Sequence, residues 1–368
     1  MMIRIIGLIF LCLQLHTGLA HPPGLSSADL TVKPDSLVIK FTYSSQDIEA
    51  LVPMDTDGDA EVSDDELGNA TSAVSRLVSG QFKMHVDGKE IKNAFSNTVS
   101  FDNKNNTHVT LNFPVQQIHT LGIDSKILSK LPTDHKQYLT IKDVNGKEIG
   151  NKMLTQKDSV FEFDLQNVSA TAAETADKQA NSTFIDFLKL GIEHILTGYD
   201  HLLFLFSLLV ITRSFWPAIQ IITFFTIAHS ITLALAGMAI VDFPSSIIEP
   251  LIAATIVYVG LENIFRKDHV TTKQRCVLTF FFGLIHGFGF AGVLREMGIS
   301  SIETGILVPL FSFNLGVELG QIAVASIVLP IIWQLHKQEK IDRYLVPIGS
   351  VLTCLAGGYW LLERTVLS

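Results

Sequence analysis

Six apolar stretches of spanning length, near residues 196–212, 215–239, 245–264, 277–294, 304–333 and 344–362, dominate the rear half of this chain. Inside hydrocarbon no water satisfies backbone N–H and C=O groups, so stretches of this kind fold as helices. The expectation is a polytopic α-helical membrane domain of about six transmembrane helices over residues 183–368. The fifth stretch is long enough to tilt, or to break around Pro309. The front half differs: residues 21–182 carry 15 Lys and Arg against 23 Asp and Glu, residues 183–368 only 11 against 13. The chain as a whole has 17% charged residues, against about a quarter in ordinary soluble domains, which weighs against a single soluble enzyme. A net charge of −9 without a basic stripe offers nucleic acid no electrostatic footprint.

Residues 1–20 place one arginine, Arg4, before a short apolar run that ends in Gly18-Leu19-Ala20. That pattern predicts a secretory signal peptide cleaved before His21. With the front half exported, the inner connections hold Arg213, Arg266, Lys267, Lys273, Arg275, Lys337, Lys340 and Arg343, the outer ones only Arg295 and Arg364. This bias obeys the positive-inside rule and puts both ends of the membrane domain outside. The cysteines Cys12, Cys276 and Cys354 form no disulfide framework or CxxC pair.

Residues 21–165 read as a small β-rich exported domain. Leu30–Val32, Leu37–Tyr43, His108–Phe113, Tyr138–Ile141 and Val160–Phe163 are β-forming runs, separated by turn signals at Asp87-Gly88, Asn105-Asn106 and Asn145-Gly146. Residues 166–182 lack apolar periodicity and read as a linker. The densest motif is the twelve-residue acidic loop 55–66, which resembles an EF-hand. In it Asp55, Asp57 and Asp59 would give Ca2+ side-chain oxygens, Glu61 a backbone carbonyl, Ser63 a direct or water-bridged contact and Glu66 two oxygens. Gln46–Val52, capped by Ser45, would form the preceding helix. Leu67, Ala70, Val74, Leu77 and Val78 give the following one its apolar face. Position 6 of the loop is Ala60, where EF-hands place glycine. His85, His108, His119 and His135 share no metal-ligand spacing and read as ordinary histidines of a polar domain.

Ionisable groups in a membrane segment cost ~2.5–3.5 kcal/mol even on insertion scales, so they mark function. Here they are His194, Asp200, His201, His229, Glu262, His286 and Glu318, with Asn314 and Gln321 beside them. At about 1.5 Å per residue, His194, Asp200 and His201 fall toward the outer side and His229 deeper. His286 and Asn314 then lie near the midplane, Glu318 below it and Glu262 near the cytoplasmic side. The expectation is a series of stations stepping across the bilayer. On a straight helix His194 and His201 stand roughly 10.5 Å apart along the axis, too far to share an ion. Either Gly198 unwinds the helix or the two are successive stations. Imidazole and carboxylate donors without a thiolate or methionine cluster suit nickel, cobalt or zinc rather than Cu(I).

The segments GIEHILTGYDHLLFLFSLL, FTIAHSITLALAG, GLEN, LIHGFGFAGVL and FNLGVELGQ, in that order, resemble the HupE/UreJ family of hydrogenase and urease accessory membrane proteins. The likeness covers about residues 183–368 and is to the branch with an exported N-terminal extension. It implies a permease for Ni2+ or Co2+ in the bacterial inner membrane, with a periplasmic front domain and metalloenzyme maturation proteins as partners. It also implies His194, Asp200, His201, His229 and His286 as candidate ligands, with Glu262, Asn314 and Glu318 completing the path. Two other readings stand beside this one. One is an intramembrane hydrolase in which His201, His229 and His286 hold Zn2+, Glu262 or Asp200 activates water and Ser230 assists. The other is a calcium-stabilised receptor or scaffold.

Overall fold

The computed structural model describes residues 24–58, 62–91, 96–102, 105–166, 172–238, 240–241, 243–265, 271–296 and 307–366, without the side chains of 96, 172–182, 245 and 291–296. The signal peptide expected over residues 1–20 lies outside the described residues, as do Asp59, Ala60 and Glu61 of the acidic loop.

The front half folds because its β-formers alternate inward. Strands β1 (Leu25–Val32), β2 (Ser36–Ser44), β3 (Phe82–Val86), β4 (Lys89–Ile91), β5 (Ser96–Phe101), β6 (Asn106–Pro114), β7 (Thr120–Ser125), β8 (Lys136–Lys142), β9 (Glu148–Thr155) and β10 (Val160–Asp164) make two sheets. One sheet is ordered β5-β6-β2-β1-β8-β9, the other β10-β7-β3-β4. All pairings are antiparallel except β1 with β8. Leu30, Ile39, Phe41, Val109 and Leu111 of the first sheet share one core with Met84, Leu121 and Ile123 of the second. Asp87 and Gly88, both at positive φ (49° and 76°), form the tight turn between β3 and β4. Their twist matches that of the paired strands.

Two helices flank the acidic loop. Helix α1 (Ser45–Glu49) takes in Ser45, the expected cap, as its first residue; Ser44 holds the N-cap position without a side-chain bond, and the helix stops three residues before the expected Val52. Val52 precedes Pro53, and a residue before proline is driven out of helical backbone. Helix α2 (Asp64–Gln81) opens with a capping box, in which Ser63 and Glu66 satisfy each other's backbone N–H. Its Ala70, Val74 and Val78 are buried, and Leu67 and Leu77 pack beside them.

The rear half is helical apart from short connections among its described residues. Helix α3 (Ala172–Thr197) begins inside the stretch read as a linker. There follow α4 (Tyr199–Leu209), α5 (Phe215–Gly237), α6 (Ser245–Phe265), α7 (Thr272–Glu296), α8 (Leu307–His336) and α9 (Glu339–Val366). Among the described residues, α5, α6, α8 and α9 are long and apolar enough to cross a membrane. Over the expected crossing at 196–212 the chain breaks at Gly198 and continues as the apolar helix α4. Eleven-residue α4 reaches only about 16 Å. Helix α7, at 25 residues, also has crossing length. Pro309 does not break α8. It sits in the first turn, where its missing N–H would have no helical partner in any case.

The helices pack mainly as three pairs, α3 with α8, α5 with α7 and α6 with α9. Small residues make these approaches possible. A Cβ on Gly191 would lie 2.0 Å from the Phe313 carbonyl, and one on Gly287 would lie 2.6 Å from the His229 carbonyl. The front half is joined to this bundle: Leu25, Tyr138 and Met153 share a core with Phe187 and Leu190 of α3 and Phe313 of α8. Lys136 pairs with Glu193 across the same junction.

Candidate metal centre

Gly198 interrupts the chain between α3 and α4. Its N–H still donates to the His194 carbonyl at 2.9 Å, but its ψ of 91° ends α3 and starts α4 anew. A Cβ there would lie 2.7 Å from the His194 carbonyl and 3.1 Å from His201 Nδ1, so only glycine fits. The break removes the straight-helix separation of His194 and His201. Their ring centroids are 4.8 Å apart.

Two more histidines close on this pair from other helices. His229 of α5 has its ring 6.2 Å from His201 and 6.3 Å from His194. His286 of α7 lies 5.1 Å from His201. One ring nitrogen each of His194, His201 and His229 falls within 4.8 Å of the other two. The expected series of stations is therefore corrected for the histidines. The earlier depths assumed straight helices with unbroken ends, whereas the Gly198 break and the close packing of α5 on α7 bring four imidazoles together.

Hydrogen bonding fixes which nitrogen three of the rings present. The Asn314 amide nitrogen donates to the Leu310 carbonyl at 2.8 Å, leaving its Oδ1 to accept from His229 Nδ1 at 3.1 Å. Asp200 Oδ1 accepts from the His201 backbone N–H at 2.8 Å and from its Nδ1 at 3.0 Å. Thr255 donates to the Ile252 carbonyl at 2.7 Å, so its oxygen accepts from His286 Nε2 at 2.9 Å. The proton thus sits on the bonded nitrogen in each ring, and the other nitrogen carries a lone pair. Those others are His201 Nε2, His229 Nε2 and His286 Nδ1. With His194 Nε2 they are buried and have no hydrogen-bond partner among the described residues. Buried polar atoms are ordinarily bonded, and imidazoles whose second nitrogen is held by a carboxylate, amide or hydroxyl are the usual form of metal-ligating histidine. Phe290 and Phe313 against His194, and Phe204 and Phe225 against His286, wall the cluster with rings whose centroids lie 4.5–5.5 Å away.

The remaining candidates lie elsewhere or play supporting parts. Glu318 accepts from Thr223 at 2.7 Å, and Gln321 accepts from Thr226 at 3.2 Å, along the α5–α8 contact. Glu262 stands 3.5 Å from buried Arg275, which also donates to Asn263 at 2.7 Å. Ser230 donates to the Thr226 carbonyl, one turn back in its own helix. Thr255 and Arg364 were not singled out as site residues. A hydroxyl inside an apolar run carries no spacing signal, and Arg364 sits 164 positions after Asp200, which it approaches to 3.9 Å.

In the acidic loop, a carboxylate oxygen each from Asp55, Asp57 and Glu66 lies within 4.8 Å of the other two. Asp55 also accepts from the Gly58 N–H at 2.7 Å. Glu66 accepts from the backbone and hydroxyl of both Thr56 and Ser63 at 2.7–3.0 Å. The Ser63 and Thr56 N–H groups, followed by their hydroxyls, hold its carboxyl down to about 2. Ser63 acts through the capping box as well as facing the loop. Of the front-half histidines, His108 bonds Thr42 and Asp102, His119 bonds Asp87 and His135 bonds Ser26.

A bundle of apolar helices that brings His194, His201 and His229 within ligand distance of one another, with His286 beside His201, defines a membrane protein with a candidate metal site of nitrogen donors. The chain belongs to the HupE/UreJ family: the family model described as HupE / UreJ protein matches residues 170–364. No curated protein matches the chain.

Proposed function

We propose that this chain is a permease that takes up Ni2+ or Co2+ across the bacterial inner membrane, with the front half periplasmic and metalloenzyme maturation proteins receiving the metal. The family is linked to nickel and cobalt transport. The observation that carries the reading is the set of four buried, unpartnered imidazole nitrogens. Buried nitrogen lone pairs walled by aromatic rings suit a borderline transition ion and leave hard Mg2+ or Ca2+ without oxygen ligands. His194, His201, His229 and His286 would hold the cargo ion, with Asp200, Asn314 and Thr255 fixing three of the rings from behind. One binding point, rather than a line of stations, fits occlusion at a single site reached alternately from the two sides. Glu318 and Gln321 would line the inner route, whereas Glu262 is engaged by Arg275.

The test is accumulation of Ni, Co, Zn, Mn and Cu in cells expressing the chain, beside a His201→Ala/His229→Ala control. Selective accumulation lost in the control supports transport. Accumulation unchanged in the control defeats the reading.

The convergence of His201, His229 and His286 also favours a second reading, an intramembrane hydrolase with resident Zn2+. Of its candidate helpers, Glu262 pairs with Arg275 and Ser230 with a backbone carbonyl, which leaves Asp200 as the base. Zinc retained stoichiometrically by protein that accumulates no metal in cells would favour it. For the acidic loop the proposal is Ca2+ held by Asp55, Asp57, Asp59, Glu61, Ser63 and Glu66, supported by the three clustered carboxylates and stabilising the front half.

A further inference from the structure

Asp200 stands between two positive centres, one permanent and one that comes and goes. Its Oδ1 is committed to His201 through two bonds, at 2.8 Å to the backbone N–H and 3.0 Å to Nδ1. Its Oδ2 faces the Arg364 guanidinium at 3.9 Å. Arg364 is itself held in place. Its NH1 donates to the Glu249 carbonyl at 3.2 Å, its Nε lies 3.8 Å from the Glu249 carboxylate, and its guanidinium lies 5.9 Å from the Trp360 ring centroid. The carboxylate's position therefore does not depend on Arg364, because Oδ1 alone anchors it. What Arg364 supplies to Asp200 is charge. A guanidinium cannot lose its proton in a protein, so this charge persists whether or not a metal is bound.

A cation bound at His201 Nε2 draws on the same carboxylate through the imidazole. The Asp200 charge strengthens the metal's hold, and the fixed Arg364 charge opposes it. In a partly buried setting, charges of two and one separated by about 10 Å still interact strongly enough to change affinity by tenfold or more. Resting on the reading of the four histidines as a metal centre, we infer that Arg364 acts on the centre through its fixed charge and keeps the affinity low enough for the ion to leave. The guanidinium, tethered by Glu249, neutralises Asp200 when the site is empty and repels the divalent ion when it is full. A site that transports must release, and a fixed opposing charge achieves this without loosening the ligand geometry.

The experiment is titration of the purified full chain with Ni2+, Co2+ and Zn2+ against a competing chelator, followed by the rate at which bound metal is lost to excess chelator. It compares wild type, Arg364→Gln, Arg364→Lys and Glu249→Gln. Arg364→Gln should bind about tenfold tighter at unchanged stoichiometry and release correspondingly more slowly. Arg364→Lys, which keeps the charge, should stay near wild type, a rescue that a purely structural role for the arginine would not give. Glu249→Gln removes the carboxylate that offsets Arg364 and should weaken binding, the opposite sign, which keeps the inference testable if Arg364→Gln does not fold. Equal or weaker binding by folded Arg364→Gln, or unchanged binding by Glu249→Gln, overturns the inference while leaving the metal centre standing. Wild type that binds no transition metal defeats the centre and the inference together.

Discussion

Asn314 offers the sharpest probe of the centre, because it touches His229 and is itself fixed by its own helix. Its amide nitrogen donates to the Leu310 carbonyl, so its oxygen can only accept, and His229 must carry its proton on Nδ1. Asn314→Leu keeps the bulk and removes the acceptor. His229 then has two choices. It leaves an N–H buried without a partner, at about 1–3 kcal/mol, or it moves the proton to Nε2 and destroys the lone pair that faces the other histidines. Both weaken metal binding. Loss of a supporting partner of this kind typically costs 10–100-fold in affinity, or roughly 1.4–2.7 kcal/mol. Asn314→Asp keeps an acceptor at the same position and should retain binding. The assay is competition with a chelator of known affinity, with helical content checked by circular dichroism. Wild-type affinity in Asn314→Leu, alongside loss of binding in His229→Ala, would refute the assignment of the proton.

The front half should lose stability on acidification for two reasons. Burial pushes His135 down to about 4, although Asp47 stands 3.5 Å from its Nδ1. As pH falls from about 6.5, the unfolded chain takes up the proton that the folded one refuses, costing up to ~1.4 kcal/mol per pH unit until the pH nears 4. Glu66, held near 2 by its hydrogen bonds, adds stability at higher pH that is lost as pH falls below its ordinary range. Amide exchange of the strands across pH 4–7 should show declining protection, flattened over pH 4–6.5 in His135→Gln; an identical slope in that variant would rule out the histidine. Calcium should raise the protection of α1 and α2 in wild type but not in Asp55→Asn/Asp57→Asn, and no response in wild type would make the loop an ordinary acidic turn. Gly68 is exposed within α2, and a Cβ there meets nothing within 4 Å. Gly68→Ala should therefore stabilise the front half by roughly 0.4–1 kcal/mol, seen as a higher melting temperature; a lower one would refute the open site.

The sequence was most informative where one physical rule acts locally. Runs such as Leu37–Tyr43 alternate because one face is buried, and each expected β run lies within a strand. The weaker strands β3, β4, β5, β7 and β9 escaped because short or polar segments such as Ser96–Phe101 take their order from neighbours. Each expected apolar stretch met a helix for the same local reason. Depth was misjudged because it depends on helix breaks and tilts that sequence does not carry. Gly198 was recognised as a place where the helix could unwind, yet unwinding alone does not reveal that His229 and His286 come to the same point. That convergence follows from pairing α5 with α7, which puts Gly287 against the His229 carbonyl. Thr255 and Arg364 were invisible for a related reason. Their chemistry comes from the partners that the packing gives them.

The most direct measurement is transition-metal content and ligation of the purified full chain, by elemental analysis with X-ray absorption, for wild type and His201→Ala/His229→Ala. After loading with Ni2+ or Co2+, one ion per chain with a mainly imidazole shell in wild type, and none in the double variant, is the result predicted by a single converged centre. Two or more ions on separate ligand sets, or a full complement of metal in the double variant, would contradict it.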